Sequence, residues 1–209
     1  MDIVIAGATG KTGRQLVAQA LERGHAVTAI ARRPEAVDMK HERLKVLRGS
    51  FDDQASIEAA VRGQAAMLSA VGAPMSRGAT TIHADSARSL VAAMQTVGVQ
   101  RLICVTSGGT NPEHDPNLPW LYEQVFKRLF VNIYHDQMVM EKIVMASALD
   151  WTIVRPAGLT DRPATGRCRS AEGYAIRGGN ETPRADLAGF MLDQLDTPDF
   201  LRKAVALAL

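Results

Sequence analysis

The fold is decided by the opening stretch Asp2-Ile3-Val4-Ile5-Ala6-Gly7-Ala8-Thr9-Gly10-Lys11-Thr12-Gly13. Its first part, 2–6, is a short apolar run rich in β-branched side chains, which is typical of a buried strand. Residues 14–23 then carry apolar side chains at a helical spacing, and Gly24 is placed to end that helix. A second apolar run at 25–31 predicts another strand. Strand, glycine turn, helix and strand in this order predict a βαβ unit.

The glycine turn inside this unit has the composition of a phosphate-binding loop. Without a Cβ atom, glycine lets the chain turn sharply and lets backbone N–H groups approach a ligand closely. The unpaired N–H groups and the positive dipole end of the following helix point to the same place, so a pyrophosphate is the expected ligand. The alternative is a glycine-rich turn that binds nothing. The predicted cofactor contacts of this loop are Gly7, Thr9, Gly10, Lys11, Thr12 and Gly13.

The spacing of these glycines narrows the class of protein. It is G-x-x-G-x-x-G, whereas G-x-G-x-x-G is the usual dinucleotide fingerprint, and this difference argues against an ordinary dehydrogenase. Gly10-Lys11-Thr12 is similar to the end of a P-loop that binds a nucleoside triphosphate. That loop requires a glycine five positions before Gly10, where this sequence has Ile5 inside the predicted strand. A kinase or an ATPase is therefore excluded.

The end of the second predicted strand indicates which dinucleotide binds. A site for NAD places an acidic residue about 20 residues after the glycines, where it binds the ribose 2′-hydroxyl. Here the strand ends in Ala31-Arg32-Arg33-Pro34, without an acid. Two guanidinium groups suit a 2′-phosphate, which they can bind through charge-assisted hydrogen bonds. NADP(H) is therefore the predicted cofactor, contacted by Arg32 and Arg33; the alternative is that both are solvated surface residues.

Length and composition limit the remaining possibilities. The 209 residues, 46% of them hydrophobic and 22% charged, suit one globular domain, 1–209, with a substantial core. A formal charge of +2 gives no indication of a surface for nucleic acid or membrane. No apolar run approaches the ~20 residues that span a bilayer, and no targeting signal opens the sequence, so a cytoplasmic location is expected. Cys104 and Cys168 match no disulfide or zinc pattern, and the histidines have no metal-ligand spacing, so no metal site is expected. Cys104 lies in an apolar run and is predicted to pack in the core.

Further apolar runs alternate with helical patterns along the chain. The remaining predicted strands lie at 44–49, 65–71, 101–106, 150–156, 167–174 and 204–209. Helices are predicted to start near Gln54, after a turn at 50–53 that caps this helix, and to lie at 80–97, 121–148 and 183–195. This alternation predicts an α/β fold, a doubly wound parallel sheet of the Rossmann type with a small C-terminal substrate lobe. Ligands bind at the carboxyl ends of such strands. The cofactor contacts predicted at these ends are Ser50, Phe51, Val71, Gly72, Thr106 and Pro156.

Two segments, 108–135 and 156–182, are predicted to form the substrate side of the crevice. The first begins with glycines and prolines that exclude regular structure, and it is either a cover over the crevice or a long connection. In the helix that follows, a break is predicted near Asn132. Aromatic side chains recur there every four residues, at Tyr122, Phe126, Phe130 and Tyr134; they either pack in the core or stack on a planar substrate. The candidate substrate contacts are Arg77, Tyr122 and Arg155, and for the two arginines the alternative is a structural or solvated role.

Four stretches of the sequence carry a resemblance to a known family. They are residues 5–13, Ala31-Arg32-Arg33, Val105-Thr106-Ser107 and Trp151-Thr152-Ile153-Val154-Arg155-Pro156. They resemble the atypical short-chain dehydrogenase/reductases, and most of all the NAD(P)H-binding proteins related to biliverdin-IXβ reductase/flavin reductase and to the NmrA-like proteins. The resemblance implies a Rossmann fold, an NADP(H) site and a serine beside the nicotinamide. That serine is Ser107, expected to orient the nicotinamide or the substrate; the alternative is a turn hydroxyl bonded to its own backbone.

Two departures from the family pattern bear on the chemistry. Members that oxidise or reduce alcohols use a Tyr-x-x-x-Lys pair, in which the lysine lowers the tyrosine pKa so that it can exchange a proton. Tyr122 and Tyr134 have no lysine four positions later, which argues against alcohol–ketone chemistry and sugar epimerisation. The family also has Gly-Asp after the third strand to hold the adenine, and this chain has Gly49-Ser50. Ser50 is expected to donate one hydrogen bond there.

The resemblance implies an NADPH-dependent reductase that transfers a hydride to a planar acceptor such as a flavin, a biliverdin or a quinone. Such a transfer needs no dedicated proton donor in the protein, because the chemistry belongs to the cofactor. The alternative from another class is a non-catalytic NADP(H) sensor, similar to the NmrA-like proteins, that binds a partner. A third is a reductase or isomerase of another metabolite. A monomer or a homodimer is expected.

Overall fold

The opening strand, β1 (Asp2–Ala6), lies in the interior of an eight-stranded sheet in the computed structural model, which describes residues 1–73, 78–110, 115–118, 125 and 127–209. The other strands, in chain order, are β2 (Ala26–Ala31), β3 (Leu44–Arg48), β4 (Ala66–Ser69), β5 (Arg101–Val105), β6 (Asp150–Pro156), β7 (Gly158–Thr160), β8 (Arg169–Glu172), β9 (Glu181–Pro183) and β10 (Lys203–Ala208). The order across the large sheet is β3-β2-β1-β4-β5-β6-β10-β8, and β7 pairs with β9 separately.

Neighbouring strands of the large sheet run parallel from β3 to β10, and only β8 lies antiparallel to its neighbour. The first three strands extend the sheet in one direction from β1, and the chain then returns after β3 to place β4 on the other side of β1. The strand order therefore reverses between β1 and β4. In an open parallel sheet, a crevice for ligands forms outside the carboxyl ends of the strands at such a point. The prediction of a doubly wound, mostly parallel Rossmann sheet is confirmed.

Helices cover both faces of this sheet. They are α1 (Lys11–Glu22), α2 (Gln54–Val61), α3 (Ile82–Val97), the short α4 (Lys127–Leu129), α5 (Val131–Ala146) and α6 (Arg184–Asp193). On one face α1 packs on α6, and Leu16 and Leu187 belong to the same buried apolar cluster. The other face is covered by α2, α3 and α5, whose Ile57, Leu90 and Val144 share a second cluster. No helix among the described residues combines the length and the apolar character needed to span a bilayer.

Several local signals act in the structure as the sequence predicts. Gly24 has φ +85°, a left-handed conformation that suits glycine, directly after α1. The side chain of Asp53 accepts a hydrogen bond from the Ser56 N–H and caps α2. Cys104 is 1% exposed in the core, and burial raises the pKa of its thiol.

The structure differs from the prediction at the end of β4 and in the helix that precedes β6. β4 ends at Ser69 because Ala70 and Val71 leave the strand and approach Gly7. The predicted helix 121–148 is broken at Phe130, where α5 begins, close to the predicted break. Phe130 and Tyr134 are half-buried, and Tyr122 and Phe126 lie outside the described residues.

The strands β7 and β9 are an addition that the sequence did not predict. They form a three-residue parallel ladder from Gly158 to Thr160 and from Glu181 to Pro183. β8, within the predicted strand 167–174, adds to the edge of the large sheet beside β10. The chain between β6 and α6 therefore forms a small lobe at the carboxyl end of β6.

Candidate functional site

The glycine turn after β1 is built around contacts that exclude a Cβ atom. Gly7 has φ +81°, and a Cβ there would lie 2.6 Å from the carbonyl carbon and oxygen of Ala70. A Cβ on Gly13 would lie 2.1 Å from the carbonyl oxygen of Gly7. The Gly10 N–H donates a hydrogen bond to the same oxygen at 3.0 Å. The first turn of α1 is therefore packed directly on the backbone of the turn.

The beginning of α1 is open to an anion. Gly10 is the N-cap residue, no side chain caps the helix, and the first turn contains no acidic residue. Helices leave their first N–H groups unpaired, and these groups with the helix dipole favour a negative ligand. Thr9, Gly10 and Lys11 are exposed here, whereas Thr12 and Gly13 are buried. The predicted loop residues thus lie together, and their arrangement fits a pyrophosphate.

A small charge network lies beside this helix start. The Lys11 ammonium and the Arg184 guanidinium each donate to Asp161 at 2.5 Å, from α1 and from the first residue of α6. The hydrogen bond from Lys11 lowers the pKa of the Asp161 carboxyl, so this group is ionised at neutral pH. Lys11, which we expected to contact the cofactor, already has a carboxylate partner from the C-terminal lobe.

The two arginines after β2 are exposed and available. Neither guanidinium makes a hydrogen bond or an ion pair with the described part of the chain. The Ser50 hydroxyl, expected to donate to adenine, donates instead to Asp52. That hydrogen bond is the main cause of the lowered pKa of Asp52, to which the charge of Arg32 also contributes. Arg32 and the turn after β3 therefore share one edge of the crevice.

The remaining cofactor contacts predicted at strand ends differ in accessibility. Val71 and Pro156 are buried, and Phe51 is partly buried against the core under α2. Gly72 is exposed, and no atom of the described residues lies within 4 Å of the position that a Cβ would take. Within the described part of the chain, the space beside Gly72 is therefore open.

A buried ion pair lies beneath the ends of β5 and β6. The Arg155 guanidinium donates to both carboxylate oxygens of Glu141, at 3.0 Å from Nε and 2.6 Å from Nη2. The two side chains are 7% and 4% exposed. The Thr106 hydroxyl donates to the same carboxylate at 2.7 Å. The expectation that Arg155 binds a substrate anion is therefore corrected: its guanidinium is held by Glu141, and the side chain of Thr106 also points to that acid.

Ser107 lies at the end of β5 and is half-buried. Its hydroxyl donates at 2.6 Å to the amide oxygen of Gln137 on α5, and Thr110 donates to the same oxygen at 2.9 Å. This hydroxyl therefore bonds to a distant side chain and not to its own backbone. Gln137 and Glu141 were not predicted. A buried arginine in an apolar strand implies a buried acid, but the sequence does not say which one.

The substrate-side segments approach each other around a small cavity. The Asp115 carboxylate accepts a hydrogen bond from the Ala175 N–H at 2.8 Å, and the Asn117 amide donates to the Ala175 carbonyl at 2.8 Å. The cavity between the segments has a volume of about 90 Å³, with Leu118 and Ile176 among its lining residues. Arg77 and Tyr122 lie outside the described residues, as do 111–114.

Comparison with known proteins agrees with this geometry. Residues 7–198 match the family described as NAD(P)H-binding, and the chain belongs to that family. The oxidoreductase stcQ of Emericella nidulans is 26% identical over 218 residues, which cover 93% of this chain and 77% of that protein. The resemblance to the atypical short-chain dehydrogenase/reductases is confirmed, and the chain is an NAD(P)H-binding protein.

Two solved structures have the same fold. A short-chain dehydrogenase/reductase from Veillonella parvula, in complex with NADP, superposes with a TM-score of 0.82 at 22% identity, over 100% of this chain and 94% of that one. ChuY, an anaerobillin reductase from Escherichia coli O157:H7, has a TM-score of 0.81 at 23% identity, over 100% and 97% of the two chains.

Proposed function

We propose that this protein is an NADPH-dependent reductase that transfers a hydride to a planar acceptor such as a flavin. The observation that carries the proposal is the pairing of an open helix start with two available guanidinium groups. α1 begins without a capping side chain or an acid. Arg32 and Arg33 follow the neighbouring strand and have no partner in the described part of the chain.

Each part of a phosphorylated dinucleotide has a group to hold it. The N–H groups at the start of α1 bind the pyrophosphate, and Arg32 and Arg33 bind the 2′-phosphate. Ser107 orients the ring at the other end, beside the exit of β5. When bound, the dihydronicotinamide supplies the hydride. The complex of the Veillonella parvula relative with NADP and the reductase name of ChuY are consistent with this assignment.

The lack of a Tyr-x-x-x-Lys pair favours an acceptor that takes its proton from water. The chain has no Tyr-x-x-x-Lys pair. Glu141, the acid beneath Ser107, is bound by Arg155 and Thr106 and is 3% exposed. A flavin, a biliverdin or a quinone meets this requirement better than a ketone does.

The function is tested by following NADPH oxidation with FMN, riboflavin, biliverdin and quinones as acceptors. We expect turnover with at least one of them and slower turnover with NADH. Oxidation with none of these acceptors would remove the reductase assignment, and the NADP(H)-binding assignment would then rest on titration alone.

Arg32→Ala is expected to weaken NADP⁺ binding about tenfold, because one charge-assisted hydrogen bond contributes roughly 1.5 kcal/mol or more. Binding of NAD⁺, which has no 2′-phosphate, is expected to change less than about twofold. Calorimetric titration of both cofactors measures the difference. The control is Arg62→Ala, an exposed arginine at the end of α2. Equal affinity of the wild-type protein for NAD⁺ and NADP⁺ would contradict the prediction.

A second candidate function is that of a sensor of the NADP(H) state, which binds a partner without turnover. It is favoured by the same observation, because a Glu141 carboxylate that is buried and bound to Arg155 is not available for catalysis. A sensor is expected to bind NADP⁺ and NADPH with different affinities, and a partner is expected to co-purify in one state only. Equal affinities and rapid turnover with a small acceptor would exclude this function.

A further inference from the structure

Gln137 is a buried amide whose two ends have different environments. Its oxygen accepts hydrogen bonds from Ser107 at 2.6 Å and from Thr110 at 2.9 Å, and the side chain of Thr110 is fully buried. The 2.6 Å distance to Ser107 is typical of an O–H···O bond and short for an N–H···O bond, so the end of the amide that faces the two hydroxyls is the oxygen. The amide nitrogen must therefore point away from them.

That amide nitrogen is a donor that no described residue uses. It makes no hydrogen bond with the described part of the chain, although the residue is 8% exposed. Among the described residues, the side-chain atoms that are both sealed from solvent and unpartnered belong to Gln64, Ser69, Thr160 and Gln194. The Nε2 atom of Gln137 is not among these sealed atoms, and the residue contacts Ser107 at the end of the sheet where ligands of this fold bind.

The Ser107 hydroxyl differs from the Gln137 amide, because its donor is used within the protein and its oxygen can still accept a hydrogen bond. A hydroxyl has one hydrogen, and that of Ser107 is directed to Gln137. The Thr110 hydroxyl lies 3.2 Å from the Ser107 oxygen and 2.9 Å from the amide oxygen of Gln137, so it occupies at most one of the two lone pairs of Ser107. Ser107 therefore presents an acceptor to the crevice, and Gln137 presents a donor from the same hydrogen-bonded unit.

We propose that Ser107 and Gln137 together recognise an amide edge, a carbonyl oxygen beside an N–H group. Ser107 accepts from the N–H, and Gln137 donates to the carbonyl oxygen. The proposal rests on the proposed function, because the edge belongs either to the carboxamide of the nicotinamide or to an amide, lactam or imide of the acceptor. Both sources present the same chemistry to this pair.

The surroundings of Gln137 hold it in place for this role. Glu141 lies one turn further along α5 and is bound to Arg155 and Thr106, at the ends of β6 and β5. α5 is thus fixed to the sheet by a buried ion pair immediately below Gln137. A polar group that is fixed before the ligand arrives loses little entropy on binding.

The test is the replacement Gln137→Met, which keeps the length of the side chain and removes the donor. Three probes are titrated: NADP⁺, 2′-phospho-ADP-ribose, which lacks the nicotinamide, and riboflavin added to the NADP⁺ complex. We expect a fivefold to tenfold loss of affinity for NADP⁺ if the cofactor carries the edge, or for riboflavin if the acceptor carries it. Affinity for 2′-phospho-ADP-ribose is expected to change less than about twofold in either case.

Thr110→Val is the structural control, because it removes one hydroxyl that supports Gln137 and keeps the amide donor. We expect less than about a twofold change with all three probes. Unchanged binding of NADP⁺ and riboflavin by Gln137→Met, or a loss shared by Thr110→Val or by 2′-phospho-ADP-ribose, would overturn the proposal. If Gln137→Met does not fold, Ser107→Ala, which removes the acceptor, is judged by the same criteria.

The outcome is independent of turnover. If none of the acceptors supports NADPH oxidation by the wild-type protein, the proposed reductase function fails. The NADP⁺ titration still decides the role of Gln137 in that case. If riboflavin does not bind to the wild-type complex, the comparison of NADP⁺ with 2′-phospho-ADP-ribose decides alone.

Discussion

Gly13→Ala is expected to abolish measurable cofactor binding and to destabilise the fold. The added Cβ would lie 2.1 Å from the Gly7 oxygen, 2.7 Å from the Gly7 carbonyl carbon and 2.9 Å from the Ala8 Cα. All three are backbone atoms of the turn, so no side chain can rotate away to relieve the overlap. α1 must move off the turn, and the N–H groups at its start move with it.

The size of the effect follows from how little this contact can relax. Overpacking of a core costs about 1–3 kcal/mol where side chains can adjust, and we expect at least the upper end here. For a chain of this size, 3 kcal/mol corresponds to a fall in Tm of roughly 6–12 °C. Loss of two charge-assisted hydrogen bonds from these N–H groups, at roughly 1.5 kcal/mol or more each, corresponds to a fall in NADP⁺ affinity of ~100-fold or more. Thermal unfolding and calorimetric titration measure the two effects.

Gly189→Ala is the matched control for this substitution. Gly189 lies within α6, which packs on α1, and a Cβ there would lie 3.3 Å from Gln19 Oε1 and 3.5 Å from Arg23 Nη2. These are the ends of flexible side chains, which can shift by a few tenths of an ångström. We expect less than about 1 kcal/mol of change and unaltered NADP⁺ binding. A Gly13→Ala protein that binds NADP⁺ as this control does would show that the close contact is not needed.

The sequence predicts the cofactor half of this protein well because its signals are local. Three glycines, a β-branched run and a helical spacing lie within the opening stretch, and each constrains the backbone where it occurs. The strand predicted at 150–156 is β6, whose centre Trp151-Thr152-Ile153-Val154 consists of the aromatic and β-branched residues that are enriched in strands. Asp53 caps α2 from the position that a capping residue should occupy.

The rest of the site depends on contacts between distant parts of the chain. Asp161 binds Lys11 although it lies 150 positions later in the sequence, and no local pattern relates the two. β7 and β9 have three residues each, too few for a periodicity to be recognised. Arg155 looks like a substrate ligand in the sequence because it ends a strand at the crevice. Only the structure shows that the Arg155 guanidinium forms a buried ion pair with Glu141.

Arg155→Met is expected to destabilise the protein by about 3–5 kcal/mol, because it leaves the Glu141 carboxylate buried without its cation. The corresponding fall in Tm is roughly 6–20 °C for a chain of this length. The control is Arg88→Met, which breaks an ion pair with Asp85 whose side chains are 57% and 53% exposed. That exposed pair is expected to contribute less than about 1 kcal/mol.

The double variant Glu141→Leu/Arg155→Met separates the loss of the ion pair from the cost of an unpaired charge. Replacing both members of a buried pair by apolar residues is often neutral or stabilising, so the double variant is expected to recover most of the stability lost in Arg155→Met. It also leaves the Thr106 hydroxyl without its acceptor, which limits the recovery by about 1 kcal/mol. If the double variant is as unstable as Arg155→Met, the damage comes from lost packing around the guanidinium, and the buried charge of Glu141 is not its cause.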